Sequence, residues 1–130
     1  MKNILTLMIQ LFFGFCLISC FSEKQNPKYF NLINNESKSV YYRVSNSHPN
    51  INLYGLEPSP TKAFIINSGK SYSIPIGGFA LNPVMQIFIF DEDVIKNNPW
   101  DSIVKYNMFL KRYQFTKSEL ESKNWEIIYP

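Results

Sequence analysis

Thiol and imidazole chemistry are almost missing from this chain, which has two cysteines and one histidine in 130 residues. The histidine, His48, precedes a proline among serine and asparagine and reads as an exposed loop residue. Metal sites and histidine-based catalysis need convergent partners, and no such cluster recurs along the sequence. Charge is sparse too: the formal net value of +3 is dispersed and offers no electrostatic footprint for nucleic acid. Glycine is scarce where phosphate binding would demand it. Gly69-Lys70-Ser71 mimics the end of a phosphate-binding loop, but the glycine required five residues earlier is replaced by Phe64. No apolar run reaches the roughly 20 residues that an uncut membrane-crossing helix needs.

The longest apolar run is at the start. Met1-Lys2-Asn3 carries a positive charge, Ile4 to Ile18 is apolar except for Thr6, Gln10 and Gly14, and small Ser19 precedes Cys20. This is the anatomy of a secretory signal peptide. Its last four residues, Leu17-Ile18-Ser19-Cys20, resemble the bacterial lipoprotein signal. The resemblance implies cleavage between Ser19 and Cys20 and a thioether from Cys20 to diacylglycerol, with acyl chains such as palmitate. One chain, at about 0.8 kcal/mol per buried CH2, gives marginal binding, whereas two or three anchor permanently. The expected organisation is a signal peptide over 1–19, a lipidated cysteine and tether over 20–27, and a single β-rich domain over 28–130. Processing removes Cys16 and occupies Cys20, so neither a thiol nucleophile nor a disulfide is expected. Lys2 leaves as well, so 12 basic side chains face 10 acidic ones and the formal charge falls to +2. Phe21-Ser22-Glu23-Lys24 has no aspartate beside the cysteine, which by the same resemblance implies the outer membrane, facing the periplasm. The acidic Glu23 leaves surface exposure open.

Beyond Cys20 the chain is rich in aromatic residues, eighteen of them counting Phe21, and aromatic and β-branched side chains favour strands. Tyr29 to Ile33 and Val40 to Ser45 are expected strands, joined by Asn34-Asn35-Glu36-Ser37 as a hairpin. The alternation of the second sends Arg43 to solvent. Residues 45–60 read as a long loop with at most a brief strand at Ile51 to Tyr54. Ala63 to Ile66 and Tyr72 to Ile76 form a second expected hairpin around Asn67-Ser68-Gly69-Lys70, with Pro75 favouring a sheet edge. Gly77-Gly78 suits a bulge or a crossing between sheets. Val84 to Phe90 is apolar on both alternations and is the expected central strand. Asn98-Pro99 then starts a short helix with Trp100, Ile103 and Val104 on one face, ending at Asn107. After a strand over Met108 to Phe115, Thr116-Lys117-Ser118-Glu119 is a capping box opening a second helix, which Asn124 stops. Trp125 to Tyr129 closes the domain as a strand. The expected fold is a mainly antiparallel β-sandwich of about seven strands with two short C-terminal helices. The alternative is an α+β sheet with helices on one face.

Candidate functional groups are few. Asp91-Glu92-Asp93 reads as a solvated acidic loop, with Asp91 and Asp93 as weak calcium candidates that lack the glycine and distant glutamate of an EF-hand. Asp101-Ser102-Ile103 matches a loose O-glycosylation pattern, with Ser102 as acceptor. Trp100 and Trp125 read as structural core residues. Ile89-Phe90-Asp91, Trp100 to Ile103, Leu110-Lys111-Arg112-Tyr113, Leu120 and Asn124-Trp125 to Pro130 together resemble small lipoproteins of the Bacteroidetes. That resemblance implies an envelope setting and supplies no catalytic residue. The expected function is therefore a lipid-anchored, non-enzymatic binding module for an envelope protein or glycan, without cofactor or nucleic acid. Alternatives are a periplasmic immunity or inhibitor lipoprotein, and a small polysaccharide-acting enzyme using two carboxylates among Asp91, Asp93, Asp101 and Glu57.

Overall fold

The computed structural model describes residues 27–55 and 64–130. The signal peptide, Ser19, Cys20, nearly all of the tether, and Glu57 lie outside them. Seven strands follow in order: β1 (Tyr29–Asn34), β2 (Val40–Ser45), β3 (Ile65–Ile66), β4 (Ser71–Pro75), β5 (Val84–Asp91), β6 (Lys111–Thr116) and β7 (Glu126–Tyr129). They form two sheets, ordered β4-β1-β7 and β3-β2-β5-β6, the β-sandwich that the pattern predicts. All pairs are antiparallel except β1 with β7. Between β5 and β6 stand α1 (Glu92–Asn97) and α2 (Trp100–Lys105), and between β6 and β7 stands α3 (Lys117–Ser122).

β5 explains the layering. Met85, Ile87 and Ile89 enter the core between the sheets with Phe30, Leu32, Tyr42, Ile66, Ile74, Leu120 and Ile127. Phe88 and Phe90 enter a second cluster with Tyr41, Leu53, Ile103 and Val104, beneath the helices and the loop after β2. A strand covered on both faces needs apolar residues at every position, and β5 is buried from Met85 to Phe90. Helices lying over one face of the four-stranded sheet carry part of the α+β alternative into the sandwich.

Neither expected hairpin forms. The turn after β1 leads into the opposite sheet, and so does the turn after β3. Turn residues dictate a reversal but not whether the returning strand pairs with its predecessor or stacks over it. Asn34 decides here. Its buried Nδ2 donates to Lys38 O at 2.8 Å and to Ile66 O at 2.9 Å, and its Oδ1 accepts from Glu36 N at 3.0 Å. Its backbone N donates to Lys70 O at 2.9 Å, and its carbonyl accepts from Gly69 N at 2.8 Å. One amide thus fastens both crossings at one end of the sandwich. Gly69, at φ 67, supplies the left-handed residue of the second turn. The passage from β4 to β5 also crosses between sheets, as Gly77-Gly78 suggests, through a short 3-10 helix over Ile76–Ala80.

Helix chemistry was largely readable, with two corrections. Thr116 Oγ1 accepts from Glu119 N at 3.3 Å while Glu119 Oε2 accepts from Thr116 N at 2.7 Å, completing the capping box. Asn107 (φ 51) and Asn124 (φ 54) are left-handed and end α2 and α3. Each helix closes with paired bonds: Met108 N to Ile103 O with Asn107 N to Val104 O, and Trp125 N to Leu120 O with Asn124 N to Glu121 O. Asp91 to Asp93, however, opens α1 instead of a loop, because Asp91 Oδ1 accepts from Asp93 N at 2.7 Å. That makes three α-helices where two were expected. Asn98 does not cap α2; its Nδ2 donates back to Val94 O at 3.0 Å, closing α1. No strand forms at Ile51 to Tyr54, where carbonyls bond to side chains instead.

Two outcomes follow for stability. Asn34→Ala strands one buried carbonyl and one partly buried one and should cost roughly 3 kcal/mol in urea unfolding, and Asn34→Asp, which keeps the acceptor but loses both donors, should not rescue it; a loss below about 1 kcal/mol would show that the crossings hold without the amide. Thr116→Ala should cost about 1 kcal/mol. The Thr116 N–H, then its hydroxyl, hold the Glu119 carboxyl below the usual carboxylate range. A depressed folded-state pKa stabilises above the unfolded value and is lost as pH falls through the folded one. The stability gap between the parent and Glu119→Gln should therefore close on acidification below the ordinary carboxylate range.

Candidate functional site

Sandwiches have open edges, and one of them here is a cleft. Among the described residues β3 pairs with β2 only at Val40 and Tyr41, so the edge from Tyr42 onward lacks a neighbour in that sheet. Across it stands β4, an edge strand of the other sheet, where Pro75 sits without breaking a ladder. The gap of about 420 Å3 lies between them, lined by Tyr42, Arg43, Asn46, Phe64, Tyr72 and Gly78 with apolar neighbours. That is within the range of small-molecule sites.

Arg43 therefore does not point freely to solvent as its strand alternation implies. It is half-buried, its guanidinium lies 4.2 Å from the centre of the Phe64 ring, and its Nε is fully buried without a hydrogen-bond partner. The sequence pattern misses this because the strand's neighbours, not its alternation, decide what covers that face. Burial lowers the guanidinium pKa, with Tyr42 acting in the opposite direction, yet arginine keeps its charge at neutral pH. Among the described residues no acidic one lines the cleft. The Phe64 ring offers a partial substitute for an anion, since its face carries negative quadrupole density.

Asn46 supplies the complementary orphan, for its Oδ1 is buried and accepts nothing. Its backbone is held in place: Asn82 Nδ2 donates to Asn46 O and His48 O at 3.0 Å each, and Asn82 Oδ1 accepts from Val84 N at 2.9 Å. Gly78 closes the other side. A Cβ there would lie 2.8 Å from Asn46 Oδ1, 2.9 Å from its Nδ2 and 3.2 Å from Met85 Cε. The glycine is thus needed for close approach, not for its backbone angles. Tyr42 and Tyr72 pack with ring centres 5.2 Å apart, and Tyr72 is 39% exposed. Burial first, and the Tyr72 hydroxyl second, push the Tyr42 phenol far above its ordinary range, so it stays neutral.

The loop after β2 forms the cleft's rim and is pinned from below. Gln86, fully buried, donates to Asn50 O at 3.0 Å and accepts from Arg112 Nε at 2.9 Å, while Arg112 Nη2 donates to Pro49 O at 2.9 Å. His48 is half-buried in this loop and serves it through its backbone carbonyl.

The sequence-derived candidates lie elsewhere. Asp91 caps α1, Asp93 is exposed in its first turn, and Asp101 is exposed in the first turn of α2. None of them lines this cleft or the smaller one of about 320 Å3 between β6 and β7. No group of three histidine, cysteine or acidic side chains comes together among the described residues. Ser102 is half-buried on α2. Trp100 packs edge-on against Phe90, ring centres 5.5 Å apart, and its Nε1 donates to Leu53 O at 3.1 Å. Trp125 is half-buried against the inter-sheet core, and its carbonyl accepts from Asn31 N at 2.8 Å. Among the described residues, no helix is long and apolar enough to cross a membrane. No family model, curated protein or solved structure matches the chain.

Sequence reasoning gave Arg43, Asn46, Tyr72 and Gly78 no part in a functional site. The available signal was a charged residue, Arg43, set between Tyr42 and Val44. If Arg43 serves a ligand and not the fold, Arg43→Met should melt no lower than the parent, because replacing an unpaired half-buried charge by an apolar chain is neutral or stabilising, here by up to about 1 kcal/mol. A fall of more than about 1 kcal/mol in unfolding free energy would make Arg43 a structural residue instead.

Proposed function

We propose that the chain is a lipid-anchored, non-enzymatic binding module of the cell envelope whose ligand seats between β2 and β4. The observation that carries the binding role is the pair of orphaned buried groups in one cleft, the donor Arg43 Nε and the acceptor Asn46 Oδ1. Unpaired buried polar atoms are costly and cluster where a partner is to arrive. A site with a fixed cation, a neutral amide and aromatic walls is equipped to bind. Among the described residues it gathers no carboxylate pair and no activated nucleophile for hydrolysis.

The anchoring role rests on Leu17-Ile18-Ser19-Cys20. Cys20 carries the lipid, residues 20–27 form the tether, and the domain works close to the outer membrane on its periplasmic side. A cleft rimmed by a pinned loop suits that setting, since a tethered binder need only hold what diffuses along the envelope. The partner is an envelope glycan or protein.

Growth with an alkyne-labelled fatty acid, followed by crosslinking in intact cells and mass spectrometry, tests both halves. The parent should carry the label and sediment with outer membrane, and Cys20→Ser should lose both. A photocrosslinker replacing Tyr72 should capture a partner that the same substitution in an Arg43→Met background does not. Label on Cys20→Ser would remove the anchor, and capture indifferent to Arg43 would remove the cleft as the binding site.

A further inference from the structure

The chemistry of the cleft narrows the ligand, resting on the reading that it is the binding site. Three constraints act together. First, Arg43 is the only charged residue lining the cleft among the described residues, so the ligand that best relieves its desolvation brings an anion. Second, Asn46 lines the cleft and its Oδ1 is a buried acceptor without a donor, so a ligand that draws the amide toward the opening gains by offering an O–H or N–H. A bare inorganic anion satisfies the first demand and fails the second. Third, the remaining surface is apolar, with the rings of Tyr42, Phe64 and Tyr72 beside Val44, Ile74, Pro75 and Met85. Phe64 is held under the Arg43 guanidinium, and Tyr72 is packed on Tyr42 while keeping 39% of its surface open. Flat rings favour a ligand with a flat C–H face over a flexible chain, and about 420 Å3 leaves room for one or two sugar rings.

We propose that the cleft between β2 and β4 binds a sugar acid, its carboxylate on Arg43, a ring hydroxyl donating to Asn46 Oδ1, and its apolar face against Tyr72 and Phe64. Arginine matches a carboxylate through paired N–H donors, which lysine cannot copy. The Gly78 backbone sets the depth of the site, for any side chain there would drive Asn46 into the space of the hydroxyl.

Isothermal titration of the full chain in detergent with glucuronate, glucose and acetate separates the demands. Glucuronate should bind at least about tenfold more tightly than either of the others, the size of one charge-assisted hydrogen bond. Arg43→Met should erase the preference for glucuronate over glucose, and Arg43→Lys should retain part of it. Asn46→Ala should weaken both sugars and leave acetate unchanged. Equal binding of glucose and glucuronate would overturn the acid, and acetate as tight as glucuronate would overturn the sugar. Silence with all three probes overturns the inference; if a Tyr72 photocrosslinker still captures an Arg43-dependent partner, the cleft remains a binding site for something else, and if it does not, both readings fall. Thermal melts of each variant, matching the parent, keep loss of binding distinct from loss of fold.

Discussion

A single buried amide holds this sandwich in register. Asn34 ends β1, yet its side chain reaches the last carbonyl of β3 in the other sheet and the carbonyl of Lys38, where the chain turns toward β2. The apolar core pulls the two sheets together without direction, because burial rewards area and not alignment. The hydrogen bonds of Asn34 add direction at one end, and α3 adds it near the other by placing Leu120 in the inter-sheet core. The resulting offset brings the edge of β2 beyond Tyr41, which no described strand covers, opposite β4.

Segments whose local chemistry suffices were readable from residues alone. The alternation of Val84 to Phe90 assigned Met85, Ile87 and Ile89 to one face and Phe88 and Phe90 to the other, and two packed clusters receive them that way. Thr116 with Glu119, and Asn107 and Asn124, mark helix ends because their partners lie within the same turn. What escaped was whatever another sheet decides. The two turns around Asn34 and Gly69 look like hairpin turns because reversal is local, whereas the choice to pair or to cross belongs to a core assembled from distant strands. Arg43 was misplaced for the same reason. Alternation says which face a side chain takes, but only the loop and strands beyond β2 determine whether that face is wet. Asp91 shows a subtler failure: a carboxylate that invites a cation satisfies itself on the next turn's N–H.

The cleft gathers what the rest of the structure avoids. Elsewhere buried polar groups are paired: Asn34, Ser45 and Gln86 all have hydrogen-bond partners. Only Arg43 Nε and Asn46 Oδ1 remain unpaired among the described buried side-chain atoms, and both belong to residues that line the same opening. Their separate costs are each modest, yet their coincidence in one aromatic-walled gap is informative in a way that neither is alone. The rigidity of the surroundings matters as much. Asn82, Gln86 and Arg112 hold the rim through backbone carbonyls, so a ligand would meet a site already shaped and lose little of its affinity to ordering it.

The position of β1 has a mechanical consequence. It is the middle strand of its sheet, in register with β4 across five residue pairs and with β7 across four. In a chain anchored through Cys20, tension from the membrane enters at the start of β1 and runs along it. The ladders on either side lie roughly across that direction, so they would be loaded together in shear and not opened one after another. Forced unfolding is governed by the barrier to the first rupture, and this geometry places that rupture at many bonds at once. Under the proposed anchoring through Cys20, the strand nearest the membrane would thus resist a pull by shearing two ladders together.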